Sequence, residues 1–441
     1  MNGGSTPDGA GERTAQAARG ATPSPVHARR RLPVRTRLAV SAGRLASRLS
    51  RATGYGSGGM IGGRIALKLA PQALERLSRD RTVVLVTGTN GKTTTSLMVT
   101  RALEAVAPVA ANSDGANMPD GALAALAANP GAPYAVLEVD ETYLSWVAER
   151  VRPAALVLLN LSRDQLDRVG EVRSTERDLR GAVRRLPHTV VVANCDDVLI
   201  TSVARDAARP VWVSTGQQWH EDAVSCPRCG RAIHHIGPQW RCECGLARPV
   251  PHWVLCGDGL TSPGGQSVEL GLTLPGPANR ANAAMALAAA ASAGVPLHVA
   301  LDRLRTIDDV GGRYRTVRRG NHDVRLLLAK NPAGWAQTLT LLAAGSGPIV
   351  IAVNGREADG RDLSWLWDVP FEQLHGRPVI AAGERTADLG VRLCYAEVRH
   401  TCVPDPVRAV ESIDPSGSGG IDLVANYTAF RDLTKRFEHG G

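Results

Sequence analysis

The stretch VLVTGTNGKTTT, residues 84–95, restricts the fold of this chain more than any other. Val83–Val86 reads as a buried strand, Thr87–Gly91 as a turn bracketed by Gly88 and Gly91, and Lys92 as the start of a helix. Strand, glycine turn and helix in direct succession aim the backbone N–H groups of the turn and the helix N-terminus at one point. That geometry holds phosphate oxygens. The usual phosphate loop spells G-x-x-x-x-G-K-[ST], but Val86 stands five residues before Gly91 and the glycine has moved to Gly88. Gly88, Thr89, Asn90, Gly91 and Thr94 are the expected cradle, with Lys92 reaching the outer phosphates and Thr93 giving its hydroxyl to Mg²⁺. Lys92 is one of four lysines (Lys68, Lys92, Lys330, Lys435) among 51 basic residues. A compact ammonium kept in so Arg-biased a chain marks places where a planar guanidinium does not fit.

Short apolar runs ending in polar residues follow: YAVLEVDE, AALVLLN before LSRDQLDR, and TVVVAN before CDD. Helical stretches such as TTTSLMVTRALEAV and DGALAALAAN separate them. Continuous apolar strands alternating with helices imply an α/β fold with a parallel sheet covered on both faces, whose ligands bind beyond the carboxyl ends of the strands. The pattern breaks over 222–248, resumes by GLTLPGPANRANAAMALAAAASAG, and begins again in DVRLLLAKNPAGW, PIVIAVNGREADGRDLSWLWD, RPVIAAGERTADLGVRL and IDLVANY. The expected organisation is a disordered basic tail over 1–34, a helical leader over 35–80, a nucleotide-binding α/β domain over 81–308 with an insertion at 222–248, and a C-terminal α/β domain over 309–441.

A magnesium site needs hard oxygen ligands, usually a carboxylate at the end of a neighbouring strand. Glu138, Asp140 and Glu141 qualify, and strand alternation sends Glu138 and Asp140 to one face. Glu138, embedded in apolar neighbours, is the favoured ligand, while Glu141 reads equally as a solvated strand end.

The net charge of +9 is concentrated at one end. Residues 1–50 hold nine Arg, no Lys and two acids, a balance of +7, so the other 391 residues carry only +2. A nucleic-acid face needs its charge inside a folded domain, and 4% aromatic residues leave few stacking platforms; no nucleic-acid partner is expected. The basic tail fits a solvated segment, or one meeting an anionic membrane. RLAVSAGRLASRLSRA, from Arg37, puts Leu38, Val40, Leu45 and Leu49 near one helical face, and both packing on the body and lying on a membrane stay open. No secretory signal pattern opens the chain, and the expected compartment is the cytoplasm, with peripheral contact at the inner membrane face left open.

The spelling G-T-N-G-K-T-T resembles the ATP loop of the Mur ligases and folylpolyglutamate synthases, which phosphorylate a substrate carboxylate and let an amine displace the phosphate. NLSRDQLDR (160–168) is similar to that family's N-x-x-x-D-H-L-D-R, GPANRANAAMA (276–286) to its G-x-x-N-x-x-N-x-x-A, and AKNPAG stands where the family has A-H-N-P. The resemblance implies ATP, with Asn279 and Asn282 beside the adenine and Arg313 reaching the nucleotide from the hinge into the next domain. Lys330 and Arg313 then stabilise charge on the phosphoryl group in transfer. Two positions depart from the family: Gln165 and Lys330 each replace a His. The family's N-terminal nucleotide-sugar domain also has no counterpart in the short leader, so a soluble sugar precursor is not the expected substrate.

Cys226-x2-Cys229, twelve residues, then Cys242-x-Cys244 puts four of eight cysteines within 19 positions, as paired metal-binding knuckles do; a disulfide pair is the competing reading. Gly230 and Gly245 follow each pair where a chain turning around a metal benefits from positive φ. Four thiolates close a coordination shell, so the expected Zn²⁺ is structural. Cys195, Cys256, Cys394 and Cys402 are scattered and read as buried small residues.

A zinc ribbon inserted in such a core, followed by ADGRDLSWLWD (358–368) and NYTAF (426–430), resembles one group within the family, the synthetase subunits of two-chain lipid II isoglutaminyl synthases. The resemblance implies activation of the α-carboxylate of D-glutamate in the lipid II stem peptide by ATP, and attack by ammonia to give D-isoglutamine. No cysteine here sits in a G-x-C-x-G elbow, so ammonia is expected from a GatD-type glutaminase subunit in a heterodimer. In this group the partner lacks its own acid, and Asp362 is the residue expected to supply it across the interface. DGRD is also good turn chemistry, so a capping role for Asp362 stays open, with Asp359 and Asp368 as alternatives. Trp365 and Trp367 read as core or as interface anchors.

Overall fold

The computed structural model describes residues 32–52, 59–112, 115–163, 169–216, 223–309, 314–320, 322–343, 345–414 and 420–438. Most of the expected basic tail, Gln165 and Arg313 lie outside the described residues. Two helices lead, α1 (Val34–Ala52) and α2 (Gly59–Leu69), then a short α3 (Ala73–Ser78). Val34, expected at the end of the tail, already belongs to α1. No helix of the described residues is long and apolar enough to cross a membrane.

The first α/β unit runs β1 (Thr82–Thr87), α4 (Lys92–Glu104), β2 (Val109–Ala111), α5 (Pro119–Ala128), β3 (Tyr134–Glu138), α6 (Glu141–Val151) and β4 (Ala155–Leu158). It continues through α7 (Val169–Arg184), β5 (Val190–Asn194), α8 (Val198–Ala204) and β6 (Pro210–Ser214). The cysteine segment adds the hairpin β7 (His234–Ile236) and β8 (Gln239–Arg241). Strands β9 (Trp253–Cys256), β10 (Gly259–Thr261) and β11 (Ser267–Glu269) then rejoin the main sheet before helix α9 (Pro277–Ser292).

Among the described residues this sheet has the order β11-β10-β9-β6-β5-β4-β1-β3-β2, parallel from β2 to β9 with an antiparallel margin. That margin is absent from the sequence reading because its strands are three or four residues long and separated by Gly- and Pro-rich turns, too short for a period to show. The second sheet contains β12 (Tyr314–Arg319), β13 (His322–Leu328), β14 (Ile349–Ala352), β15 (Val379–Ala382), β16 (His400–Cys402) and β17 (Ile421–Ala425). Its order is β12-β13-β17-β14-β15-β16, parallel except for β12.

Strand period fixes the layers. In β1, Val83 and Leu85 enter the core beneath α1, α2 and α5, while Val84 and Val86 enter the one shared with α4 and α9. The alanines of α9 are buried there, and their small side chains let the helix approach the sheet closely. Val86 pairs in register with Glu138 and is fully buried, so the position that carries glycine in the usual phosphate loop is here still strand.

Candidate functional site

At the carboxyl end of β1 the chain turns through Gly88 (φ 142°) and Gly91 (φ 85°), and α4 starts at Lys92. Gly88 is required by close packing on the neighbouring chain and Gly91 by its left-handed φ. A Cβ on Gly88 would meet the Cβ of Leu159 at 2.8 Å, and one on Gly91 would meet Asn282 Oδ1 at 2.4 Å. The turn is held from the neighbouring strand end: Thr89 N–H donates to Asn160 O (2.9 Å), Asn90 N–H to Asn160 Oδ1 (2.8 Å), and Asn160 Nδ2 donates back to Asn90 O (3.0 Å). Thr89 Oγ1 accepts from Ser162 N–H at 3.0 Å.

Lys92 is buried to 8% exposure, and its ammonium donates to Gly88 O (2.6 Å) and to Glu141 Oε2 (3.0 Å). Glu141 is therefore not the solvated strand end the sequence allowed; it faces the lysine, because Asp140 caps α6 by accepting from Thr142 N–H and places Glu141 in the first turn. Glu138 is 2% exposed at the end of β3, and its backbone is clamped by both ends of the Asn112 amide. Its carboxylate lines the same cleft as Thr93 and Asp140 and accepts no hydrogen bond from the described residues.

The cleft, of about 1760 Å³, lies between the two sheets. Asn279 and Asn282, on the first turns of α9, line it beside the glycine turn, and Asn279 Nδ2 donates to Pro275 O at 2.7 Å. From the second sheet, Lys330 lies over the Tyr427 ring, its Nζ 4.9 Å from the centroid, and Asn331 exchanges amide hydrogen bonds with Asn90 (3.1 and 3.2 Å). Arg163 and Asp368 face each other across the cleft at 3.8 Å.

Asp362 lies apart from this cluster, exposed, with Oδ1 accepting from Ser364 N–H at 2.8 Å. Asp362 thus closes a local Asx turn rather than capping the 3-10 turn that follows, whose N-cap is Leu363, and its second oxygen has no partner among the described residues. Asp359, by contrast, is engaged by Thr428 through both backbone and hydroxyl, so it ties the loop to the body. The two tryptophans divide: Trp365 stacks in the core on Trp335 (5.8 Å), whereas Trp367 is 54% exposed and meets Tyr395 edge-on (5.2 Å).

The sulfurs of Cys226, Cys229, Cys242 and Cys244 lie within 4.8 Å of one another. Gly230 (φ 79°) and Gly245 (φ 85°) turn the chain after each pair. Backbone N–H groups of Arg228, Cys244 and Leu246 point at the sulfurs of Cys226, Cys242 and Cys244. The Leu246 N–H draws the Cys244 thiol down to about 7, with neighbouring sulfurs adding to the effect. Donor type, closeness and turn geometry all fit a closed four-thiolate metal shell. Of the scattered cysteines only Cys195 is buried, and burial raises its thiol; Cys256, Cys394 and Cys402 are exposed, contrary to the reading as buried fillers.

The sequence reading missed one network. Asp196, buried, accepts from Thr215 N–H (2.7 Å), Gly216 N–H (2.8 Å) and Arg248 (2.9 and 2.7 Å). Thr215 and Gly216 line the cleft, and Arg248 is four residues beyond Cys244, so the cysteine segment buttresses the cleft wall. Only tertiary structure joins these groups; the nearest sequence signal is the acidic end of TVVVANCDD.

Residues 86–290 match the Mur ligase middle domain and residues 328–430 the MurT ligase C-terminal domain. The MurT subunit of the glutamine-hydrolysing lipid II isoglutaminyl synthase of Streptococcus pneumoniae is 30% identical, with 86% of this chain and 92% of that protein aligned. The MurT subunit of Staphylococcus aureus N315 is 28% identical over 91% and 98%. Among solved structures, MurF from Acinetobacter baumannii superposes with a TM-score of 0.63 at 18% identity, covering 85% of this chain and 80% of MurF. A Mur ligase-like α/β fold, a relative at this identity aligned over nearly its whole length, and a matched MurT C-terminal domain agree, and the chain belongs to the MurT family of Mur ligase-like enzymes.

Proposed function

We propose that this chain is the synthetase subunit of a lipid II-amidating ligase. It activates the α-carboxylate of D-glutamate in the lipid II stem peptide with the γ-phosphoryl of ATP, and ammonia then displaces phosphate from the acyl phosphate to give D-isoglutamine. The observation that carries the reading is the buried Lys92 ammonium at the head of α4, beside the amides of a turn that only glycine can make. The full-length similarity to MurT subunits supplies the substrate class.

The Thr89 and Asn90 amides are held by Asn160 and shape the turn, the amides from Gly91 to Thr94 at the head of α4 bind phosphate oxygens, and Lys92 exchanges its Gly88 carbonyl and Glu141 partners for the outer phosphates. Thr93 and Glu138 supply the hard oxygens for Mg²⁺, which when bound neutralises phosphate charge. Asn279 and Asn282 flank the base, and Arg313 is assigned to the nucleotide on resemblance alone. Lys330, aimed into the cleft from the second sheet, stabilises charge on the phosphoryl in transfer. The four cysteines hold a structural Zn²⁺.

Ammonia comes from a GatD-type glutaminase subunit, to whose histidine Asp362 lends its carboxylate; its exposure and its place outside the cleft suit a role across an interface. Reconstitution with that subunit, ATP, glutamine and lipid II tests the proposal, with D-isoglutamine read by mass spectrometry. ATP turnover that depends on an amino acid rather than on ammonia or glutamine would place the chain with the amino-acid-adding ligases instead.

A further inference from the structure

An amphipathic helix packed on a protein body normally buries its large side chains. Helix α1 does the reverse. It presents Thr36, Ala39, Val40, Gly43 and Ser50 to the body, while Val34, Leu38, Leu45 and Leu49 are 69%, 66%, 59% and 58% exposed. At 3.6 residues per turn these four fall within an arc of about 60°. Val40, expected among them from sequence, lies on the opposite, packed face.

The small-residue face leaves α1 no freedom to turn. A Cβ on Gly43 would stand 2.4 Å from Gly62 O of α2, and one on Gly62 would stand 2.5 Å from Gly43 O. Rolling the leucines inward would drive them into that backbone contact. Arg35 Nε also donates to Leu69 O (2.9 Å), and Arg44 to Ala127 O, pinning both flanks.

Charge identifies what covers the stripe. Arg37 and Arg48 run beside it, exposed and without an ion-pair partner among the described residues. From residue 13 to residue 74 the sequence holds eleven Arg and one Lys, and no Asp or Glu. Leucines bordered by arginines, in a stretch of sequence without acids, suit an anionic lipid surface, which takes apolar side chains at headgroup depth and pairs its phosphates with the flanking cations. A second copy of so cationic a face is repelled.

We propose that α1 docks this protein on an anionic bilayer, with Val34, Leu38, Leu45 and Leu49 entering the headgroup region and Arg37 and Arg48 meeting lipid phosphates. Through α2 the docked helix reaches the site: Gly63 packs against the backbone of Asp120 at the start of α5, and Gly115 and Asn117, just before α5, line the cleft. Docking therefore links the cleft rim to the membrane through successive contacts of α1, α2 and α5. Only the benefit of that placement rests on the lipid-linked substrate proposed above.

Flotation of the full chain with phosphatidylglycerol–phosphatidylcholine vesicles (1:1), compared with phosphatidylcholine alone, tests this. Binding is expected to favour the anionic vesicles at least about tenfold and to weaken as salt rises. Leu45→Glu with Leu49→Glu is expected to lower the anionic partition coefficient by at least about tenfold. Arg37→Gln and Arg48→Gln each lower it about fivefold, all with unchanged melting and unchanged ATP turnover in detergent. Equal binding to both vesicle types, no binding, or retention of binding by the double leucine variant would overturn the proposal, the last assigning any attachment to the basic tail. Loss of a dimer or of a stable complex with the glutaminase in the leucine variants would also overturn it, by giving the face to a protein partner. Vesicle binding by a chain that fails to amidate lipid II leaves this inference standing and removes only the catalytic reading.

Discussion

Asn90, in the glycine turn after β1, and Asn331, ahead of the first helix of the second α/β unit, exchange a pair of side-chain amide hydrogen bonds at 3.1 and 3.2 Å across 241 residues of sequence. Asn331 Oδ1 also accepts from Gly334 N–H at 2.9 Å, capping the helix Pro332–Ala343 and fixing the amide plane. The pair thus ties the phosphate turn to the sheet that carries Lys330. Removing either amide costs about 1 kcal/mol, roughly fivefold in an equilibrium constant. Asn90→Ala and Asn331→Ala should each raise KM for ATP by about that factor, and the double variant should be little worse than either single one. Additive losses in that cycle would show the two amides acting separately.

Lys92→Met should lower ATP turnover at least about a hundredfold, since it removes the ammonium poised at the turn. The melting temperature should fall as well, because Glu141 is left without its ion-pair partner. Lys92→Met with Glu141→Gln should recover the melting temperature and none of the activity. Recovery of turnover in the double variant would contradict the phosphate role.

The cysteine cluster predicts one zinc per chain by elemental analysis. Cys226→Ser or a strong chelator should remove it and lower the melting midpoint by about 5 °C or more. Because Arg248 links the cluster to Asp196 and the cleft wall, KM for ATP should rise with zinc loss. A disulfide-bonded, zinc-free chain of wild-type stability would refute this.

Asp362→Asn should abolish glutamine-driven amidation while amidation fed by ammonium salts continues. The Asn side chain can still accept from Ser364 N–H, so the local turn survives the change. Equal loss with both nitrogen sources would assign Asp362 to folding or to the ligase step.

Glu176 is fully buried in α7, accepts from Ser202 Oγ at 2.6 Å, and lies 3.5 Å from Arg180. Burial holds its carboxyl above the usual value of 4.5 despite the Ser202 bond and Arg180. The protonated form is favoured in the fold, so its stabilisation is complete below pH 4.5 and declines as pH rises through the higher folded value. Glu176→Gln should therefore melt with the wild type near pH 4 and above it near pH 8. A variant less stable than wild type at pH 8 would show that the charged carboxylate is the stabilising form.

The sequence alone determined the parts whose signal is local. The strand–turn–helix at 83–95, the apolar runs that became β1, β3, β4 and β5, and the spacing of the four cysteines are each contained within a few residues, where period and steric need act directly. The closeness of Thr93, Glu138, Asn279, Asn282 and Lys330 followed from resemblance and from the rule that ligands meet strand ends; their common cleft appears only with the tertiary structure. The fold alone decided the rest. Glu141 became the partner of Lys92 because the Asp140 cap placed it in the first turn of α6. Trp365 became core and Trp367 surface because a 3-10 turn sends alternate side chains apart. The leucines of α1 face outward because a glycine contact 19 residues away, between Gly43 and Gly62, claims the opposite side of the helix. Periodicity locates an apolar face, but which face is buried depends on the surface it meets, and that surface is made by residues distant in the chain.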